Sequence, residues 1–243
     1  MSICLTAGEQ SENHVGMEIN GAGLARKGFS VKSLKKFADG YGGEFHLFEN
    51  PEEGEPDGAV VIFRDGLSKI FSIDPDKLME EQLSFEWDKK YWDRRRSRVQ
   101  NKVARYNVCY GEEGQEPDYE DKKGTIIGYD SVPLLKSWRN RLDYYFGKKA
   151  KNLEVEGNYY YSSKKCGIGY HGDGERKIVT AASLGEARPI SWQWYKRSKK
   201  IGDPYSFLLN HGDIYIMSEK ATGSDWLKKV IPTLRHAAGD KYV

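Results

Sequence analysis

Cysteine is scarce. The 243-residue chain has three, Cys4, Cys109 and Cys166, and no Cys-x-x-Cys pair. So odd and sparse a set excludes a disulfide scaffold and points to a reducing, intracellular compartment, cytoplasm or nucleus. Long apolar runs are missing as well: no stretch approaches the roughly 18 consecutive apolar residues of a spanning helix, so no membrane partner is expected. The opening Met1-Ser-Ile-Cys-Leu-Thr6 has no basic segment followed by an apolar one, and no secretory leader is expected there. Neither sign of charge dominates. Lys and Arg number 38 against 36 Asp and Glu, a formal net charge of +2, so any role with nucleic acid has to rest on a local patch. Internal repeats, low-complexity segments and a P-loop pattern are all absent. What remains is 30% charged and 38% hydrophobic residues, a globular balance with enough apolar material for a real core.

Residues 1 to about 70 read as a small α/β unit of unassigned role. Ile3–Thr6, Phe45–Phe48 and Ala59–Phe63 have strand character, and the last is a continuous apolar run of the buried kind. Val31, Leu34, Phe37 and Ala38 recur at helical spacing after Ser30. Glu49–Gly58, with four Glu, one Asp, two Pro and two Gly, marks an exposed loop. Asp76–Trp87 can form a helix with Leu78, Met79 and Leu83 turned to the core. Then comes the most basic stretch, Lys89, Lys90, Arg94, Arg95, Arg96, Arg98, Lys102 and Arg105, opposed only by Asp93 and interleaved with Tyr91, Trp92 and Tyr106. Such a patch suits phosphate neutralisation and base stacking, and equally a solvated helix or hairpin face. From Ser131-Val-Pro133, Leu134, Leu135, Trp138, Leu142, Tyr145 and Phe146 fall on one helical face and belong to a core. Beyond Leu153 the pattern changes to short strands: 155–161, 167–171, 178–183, 190–195, 205–209, 213–217 and 232–236. That spacing predicts a β-sandwich or barrel packed against helices.

The sharpest local feature is Tyr170-His171-Gly172-Asp173-Gly174-Glu175. His and Asp two apart on a strand project to the same side and can share a metal, and a facial triad needs one more imidazole. His-x-Asp alone is a weak signal. Among five His, only His211 and His236 lie downstream, and His211 sits in a turn entering a strand. His236 ends an apolar strand and suits a ligand returning from an opposite sheet.

Between residues 95 and 217 the chain resembles the AlkB-like family of Fe(II)/2-oxoglutarate-dependent dioxygenases. The matches, in order, are Asn101–Gly111, Gly128-Tyr129 with Val132-Pro133-Leu134, Asn158-Tyr159-Tyr160 with Gly167–Arg176, Ser183-Leu184-Gly185 followed by Arg188, and His211–Met217. The resemblance implies an α+β fold: a double-stranded β-helix (jelly-roll) barrel with supporting helices over 71–243. Within it, 71–150 would form the lid and supporting helices and 151–243 the barrel core, with the small N-terminal domain preceding it. It implies an oxidoreductase holding Fe(II) through His171, Asp173 and His236, and 2-oxoglutarate at Asn158, Tyr160 and Arg235. DNA or RNA would be bound through Arg94, Arg96, Arg105, Tyr106, Tyr110, Glu175 and Arg176. The activity implied is oxidative demethylation of N-alkylated bases, as in DNA repair, with single strands preferred. A protein hydroxylase or demethylase on the same barrel, and a catalytically impaired nucleic-acid-binding relative, are the alternatives.

The C-terminus departs from the family pattern, whose last strand supplies arginines for the co-substrate carboxylates. Two registers compete. In one, Arg235-His236-Ala237 is the distal-ligand strand, and Arg235, Arg188 or Lys241 must supply the missing cation. In the other, Lys229–Arg235 is the arginine strand and Asp225 stands near the metal, with Lys228 where an imidazole is usual.

Overall fold

The structure, a computed structural model, describes residues 1–243 and is a mixed α+β, strand-rich fold with few helices. In chain order come β1 (Ser2–Gly8), β2 (Ser11–Glu12), β3 (Ile19–Asn20), α1 (Val31–Tyr41), β4 (Glu44–Phe48), β5 (Gly58–Phe63), α2 (Gly66–Phe71) and α3 (Pro75–Leu83). Next are β6 (Lys90–Asp93), β7 (Arg98–Asn101), β8 (Tyr106–Gly111), β9 (Ile126–Gly128) and α4 (Pro133–Phe146). Last are β10 (Glu154–Tyr160), β11 (Ile168–His171), β12 (Val179–Gly185), β13 (Arg188–Lys196), β14 (Lys199–Leu209), β15 (Ile214–Met217), α5 (Glu219–Thr222) and β16 (Thr233–Ala238).

Helix boundaries follow local chemistry. The Ser30 hydroxyl accepts a bond from the Ser33 amide at the start of α1, and Gly42 ends that helix at φ 70°, where a Cβ would be strained. Asp74 caps α3, with Pro75 in its first turn. Near the end of α3, the Glu81 carboxylate accepts from the Leu134 and Leu135 amides at 2.7 and 3.0 Å. One helix thus caps the next, an arrangement that also suits the dipole of α4.

Eight strands form a large sheet in the order β4-β5-β15-β12-β1-β10-β8-β9, and four form a smaller one, β11-β16-β13-β14. Alternation along each strand divides the large sheet into two unlike faces. Ile3, Leu5, Val61, Phe63, Val155, Ala182, Leu184, Ile214 and Ile216 pack with Leu34, Leu67, Phe71, Leu78, Trp138, Leu142 and Phe146 of the helices. The intervening residues Cys4, Val60, Ile62, Val179, Ala181, Tyr215 and Met217 pack with Ile190, Trp192, Trp194, Leu209 and Leu234 of the small sheet.

Residues 1–70 are not a unit apart. β1 lies between β10 and β12, with Cys4 opposite both Asn158 and Ser183, and β5 pairs with β15. A short apolar strand has no local partner to satisfy its amides, and these residues find theirs in the C-terminal half of the chain. The basic stretch forms a hairpin, β6–β7, and the helix expected over 76–87 stops at Leu83.

Candidate metal centre and its cavity

His171 and His236 stand directly opposite one another on β11 and β16, neighbours in the small sheet. The expectation that His236 returns from an opposite sheet is therefore corrected: a single antiparallel ladder juxtaposes the rings, whose centroids are 4.4 Å apart. Asp173 follows β11 and is fixed by its own amide, which donates to the Thr222 carbonyl at 2.9 Å. Gly172 makes this approach possible. A Cβ there would meet the Gly223 carbonyl oxygen at 2.0 Å and Trp226 at 2.6 Å, so only glycine lets the chain pass under α5 between the two ligands.

Asp173 Oδ1 lies 3.7 Å from His171 Nε2 and 3.6 Å from His236 Nε2, and one ligand atom from each residue falls within 4.8 Å of the others. Donors on an octahedral ion with bonds of about 2.1 Å stand about 3 Å apart, so small side-chain movements would close the triad on a divalent cation. The donor chemistry fits. His171 Nδ1 lies 2.8 Å from the Gly169 carbonyl, to which a neutral ring must donate, leaving the Nε2 lone pair free for a metal. Burial, helped by His171 and Arg176, pushes the His236 pKa well below its ordinary value, so this imidazole is neutral near pH 7, and its buried Nδ1 has no partner. Burial also raises the Asp173 pKa, against the pull of Arg176 and His171. A cation would relieve that desolvation.

The triad faces a cavity of about 370 Å³ between the sheets, whose wall includes Cys4, Thr6, Glu156, Asn158 and Tyr160 of the large sheet. Glu156 and Arg176 form a buried ion pair. Although burial raises it, Glu156 is held below the usual carboxylate range by Arg176 and Arg105. Arg176 also approaches Glu175 at 3.6 Å and Asp173 at 3.9 Å. Asn158 accepts a hydrogen bond from Arg105 Nε. Arg188, 5% exposed, contrasts with Arg176. Its guanidinium lies 4.3 Å from the Tyr160 ring centroid, and its Nε and Nη1 have no hydrogen-bond partner.

Several sequence-level assignments move. Arg235 is not among the lining residues: its guanidinium lies between the Tyr195 and Trp226 rings, 4.2 and 5.4 Å from their centroids. Next to an inward His236 on one strand, it has to face the other way. Tyr110 is fully buried among the helices, with its hydroxyl on Gln82, and Tyr106 packs on that same face against Tyr159 and Tyr161. Neither borders the cavity. Arg176 is buried in the wall, not at an open rim, while Arg105 and Glu175 do line the cavity. Asp225, the alternative ligand, is engaged by Lys220 at 2.8 Å.

Arg94 and Arg96 occupy the turn of the β6–β7 hairpin, where the half-buried Asp93 carboxylate accepts from the Arg95 and Arg96 amides. Arg94 leans on Gly16, and His14 stacks on Tyr91 at 3.7 Å. The Glu12–Met17 segment, to which no mechanism attached in the sequence, thus joins the hairpin to the cavity, and Glu12, His14 and Val15 line it. Glu156 was missed too. Its signal was its parity with Asn158 and Tyr160 on one strand.

No protein-family model matches this chain. A 92-residue stretch, 38% of the chain, is 28% identical to Cadherin-AgCad1 of Anopheles gambiae, but it spans 5% of that protein. Far broader is the similarity to the uncharacterized protein R156 of Acanthamoeba polyphaga mimivirus. It is 42% identical over an alignment of 253 positions that takes in all of this chain and 97% of the viral one. Identity at that level over both full lengths means that this chain belongs to the same family as the mimivirus protein.

Proposed function

We propose that the protein is an Fe(II)/2-oxoglutarate-dependent dioxygenase of the AlkB-like kind, acting on N-alkylated bases in DNA or RNA, single strands preferred. The observation that carries this reading is the convergence of His171, Asp173 and His236 on one cavity whose wall also holds Asn158 and Tyr160. Its volume of about 370 Å³ lies in the usual range for small-molecule sites. The two facing sheets are read here as a double-stranded β-helix.

In this reading the two neutral imidazoles and the Asp173 carboxylate occupy one face of the metal and leave the other to ligands. Bound there, the iron and keto acid would supply the oxidation of a C–H bond, after which an N-methyl carbon departs as formaldehyde. The protein's own part is binding and geometry. Arg105 fixes Asn158, and Arg176 holds Glu156 and steadies Asp173 from the far side. The enclosing sheets keep water from the reacting centre. Glu175, whose pKa is raised by burial despite Arg176, can face the exocyclic amine of an incoming base. The arginines of the hairpin turn project into solvent, where they can track phosphates, and a single strand avoids the few kcal/mol needed to unstack a duplex base.

The test is anaerobic addition of Fe(II) and 2-oxoglutarate, followed by aerobic turnover with N-methylated oligonucleotides. A visible charge-transfer band lost in His171→Ala and His236→Ala, together with succinate and formaldehyde release, is the expected result. A wild-type protein that loads iron but neither binds 2-oxoglutarate nor releases succinate overturns the proposal. Turnover with methylated peptides alone would reassign the substrate to protein.

A further inference from the structure

Every arginine but one in the cavity wall is matched by an anion or an amide oxygen. Arg105 meets Asn158 and Glu156, and Arg176 meets Glu156, Glu175 and Asp173. Arg188 is the exception. It begins β13, on the side of that strand shared with Ile190 and Trp192, and is 5% exposed. Around it stand the Tyr160 ring, Cys4 and Tyr215, and none of the protein's ion pairs includes it. A guanidinium cannot shed its charge at any ordinary pH. Taking such a charge out of water with two N–H groups unbonded is costly, and an aromatic face compensates only part of it.

We propose that Arg188 is the receptor for the distal carboxylate of a dicarboxylic keto acid whose other end sits at the His171–Asp173–His236 centre. The inference rests on the oxygenase reading and deepens it. It replaces Arg235, whose guanidinium is held between the Tyr195 and Trp226 rings and does not line the cavity. A carboxylate accepts two parallel bonds from Nη2 together with either Nε or Nη1, so each forked approach engages one of the two unpartnered donors. Tyr160 would hold the guanidinium plane from its ring face, so Asn158 and Tyr160, two apart on β10, serve one ligand from the same strand face.

The experiment compares two keto acids of equal length in the full chain loaded anaerobically with Fe(II): 2-oxoglutarate, and 2-oxopentanoate, in which a methyl group replaces the distal carboxylate. Affinity is read from the charge-transfer band and by calorimetry. Wild type should prefer 2-oxoglutarate by about 100-fold, the worth of a charge-assisted pair of bonds. Arg188→Met should lose that preference while holding 2-oxopentanoate as well as wild type does. Arg188→Lys should regain part of it, and Arg235→Met should leave both affinities unchanged. Equal affinities in wild type, or an Arg188→Met protein that still selects 2-oxoglutarate, overturn the subsite and leave the oxygenase reading standing. The wild-type comparison decides even if the variant fails to fold. A wild type that loads iron yet binds neither keto acid overturns both.

Discussion

The two faces of the large sheet are built from the same strands and do opposite work. Toward the helices, β1, β10, β12 and β15 present Ile3, Leu5, Val155, Leu184, Ile214 and Ile216, all essentially inaccessible to water. One residue along, toward the small sheet, β1 and β10 offer Cys4, Thr6, Glu156, Asn158 and Tyr160 to the cavity. Burial is comparable, and chemistry is not. The first face gains free energy by dehydrating hydrocarbon. The second keeps polar groups dry at a cost and needs each one paired, which makes its unpaired members the informative ones.

The largest effect that would test this division is on the helical side. Trp138→Ala removes a fully buried indole from α4 and should cost about 3–5 kcal/mol, read as a lower urea midpoint at unchanged slope. Metal affinity of the molecules that remain folded should not change. If it collapses, the two faces are not independent.

Next in size is a pH effect where polar groups are buried away from the triad. Lys102 donates to Asn13 and Asn107, and desolvation lowers its pKa from 10.5 to about 8. Below pH 8 the amine is charged both folded and unfolded, so the cost of burying it is fully present. Between about 8 and 10.5 the unfolded chain holds the proton that the folded one has released, so stability rises with pH, by about 3 kcal/mol in all. Urea titrations at pH 7.5 and 10 should show that rise in wild type relative to Lys102→Met. A flat difference between the two would sink it.

Metal linkage should be slightly smaller. A non-oxidising divalent cation at about 100 times its dissociation constant should stabilise the wild type by about 2.7 kcal/mol. Asp173→Ala should be no less stable than wild type without metal and gain nothing from it, as thermal melts with and without a chelator would show. The smallest change sharpens the correction to Tyr110. Tyr110→Phe strands the Gln82 oxygen and should cost about 1 kcal/mol while oligonucleotide affinity stays put. In Arg94→Ala plus Arg96→Ala the pattern should invert: stability holds and low-salt binding weakens.

Much of this was legible because alternation is a local property. The short strands after residue 153 fall within about two residues of their expected ends, except that β14 begins at Lys199 and not Tyr205, and His171, Asp173 and His236, which the sequence offers as a set, do come together. Arg235 went astray although the rule that excludes it was at hand: neighbours on a strand face opposite ways, so a cavity-facing His236 turns Arg235 outward. Tyr110 failed for a different reason. Both faces of β8 are buried, and its sequence does not say which of them meets the helices. The place of β1 was beyond local reading altogether, because its partners lie 146 to 183 residues away and nothing in seven residues names them.

That central place of β1 has a consequence for how the molecule comes into being. During synthesis this strand cannot pair until β10 and β12, far along the chain, have emerged from the ribosome. The decisive pairing therefore waits on the chain between, so folding is slow for so non-local a topology and exposed to aggregation meanwhile. Removing Ser2–Gly8 would split the large sheet through its middle, parting β12 from β10.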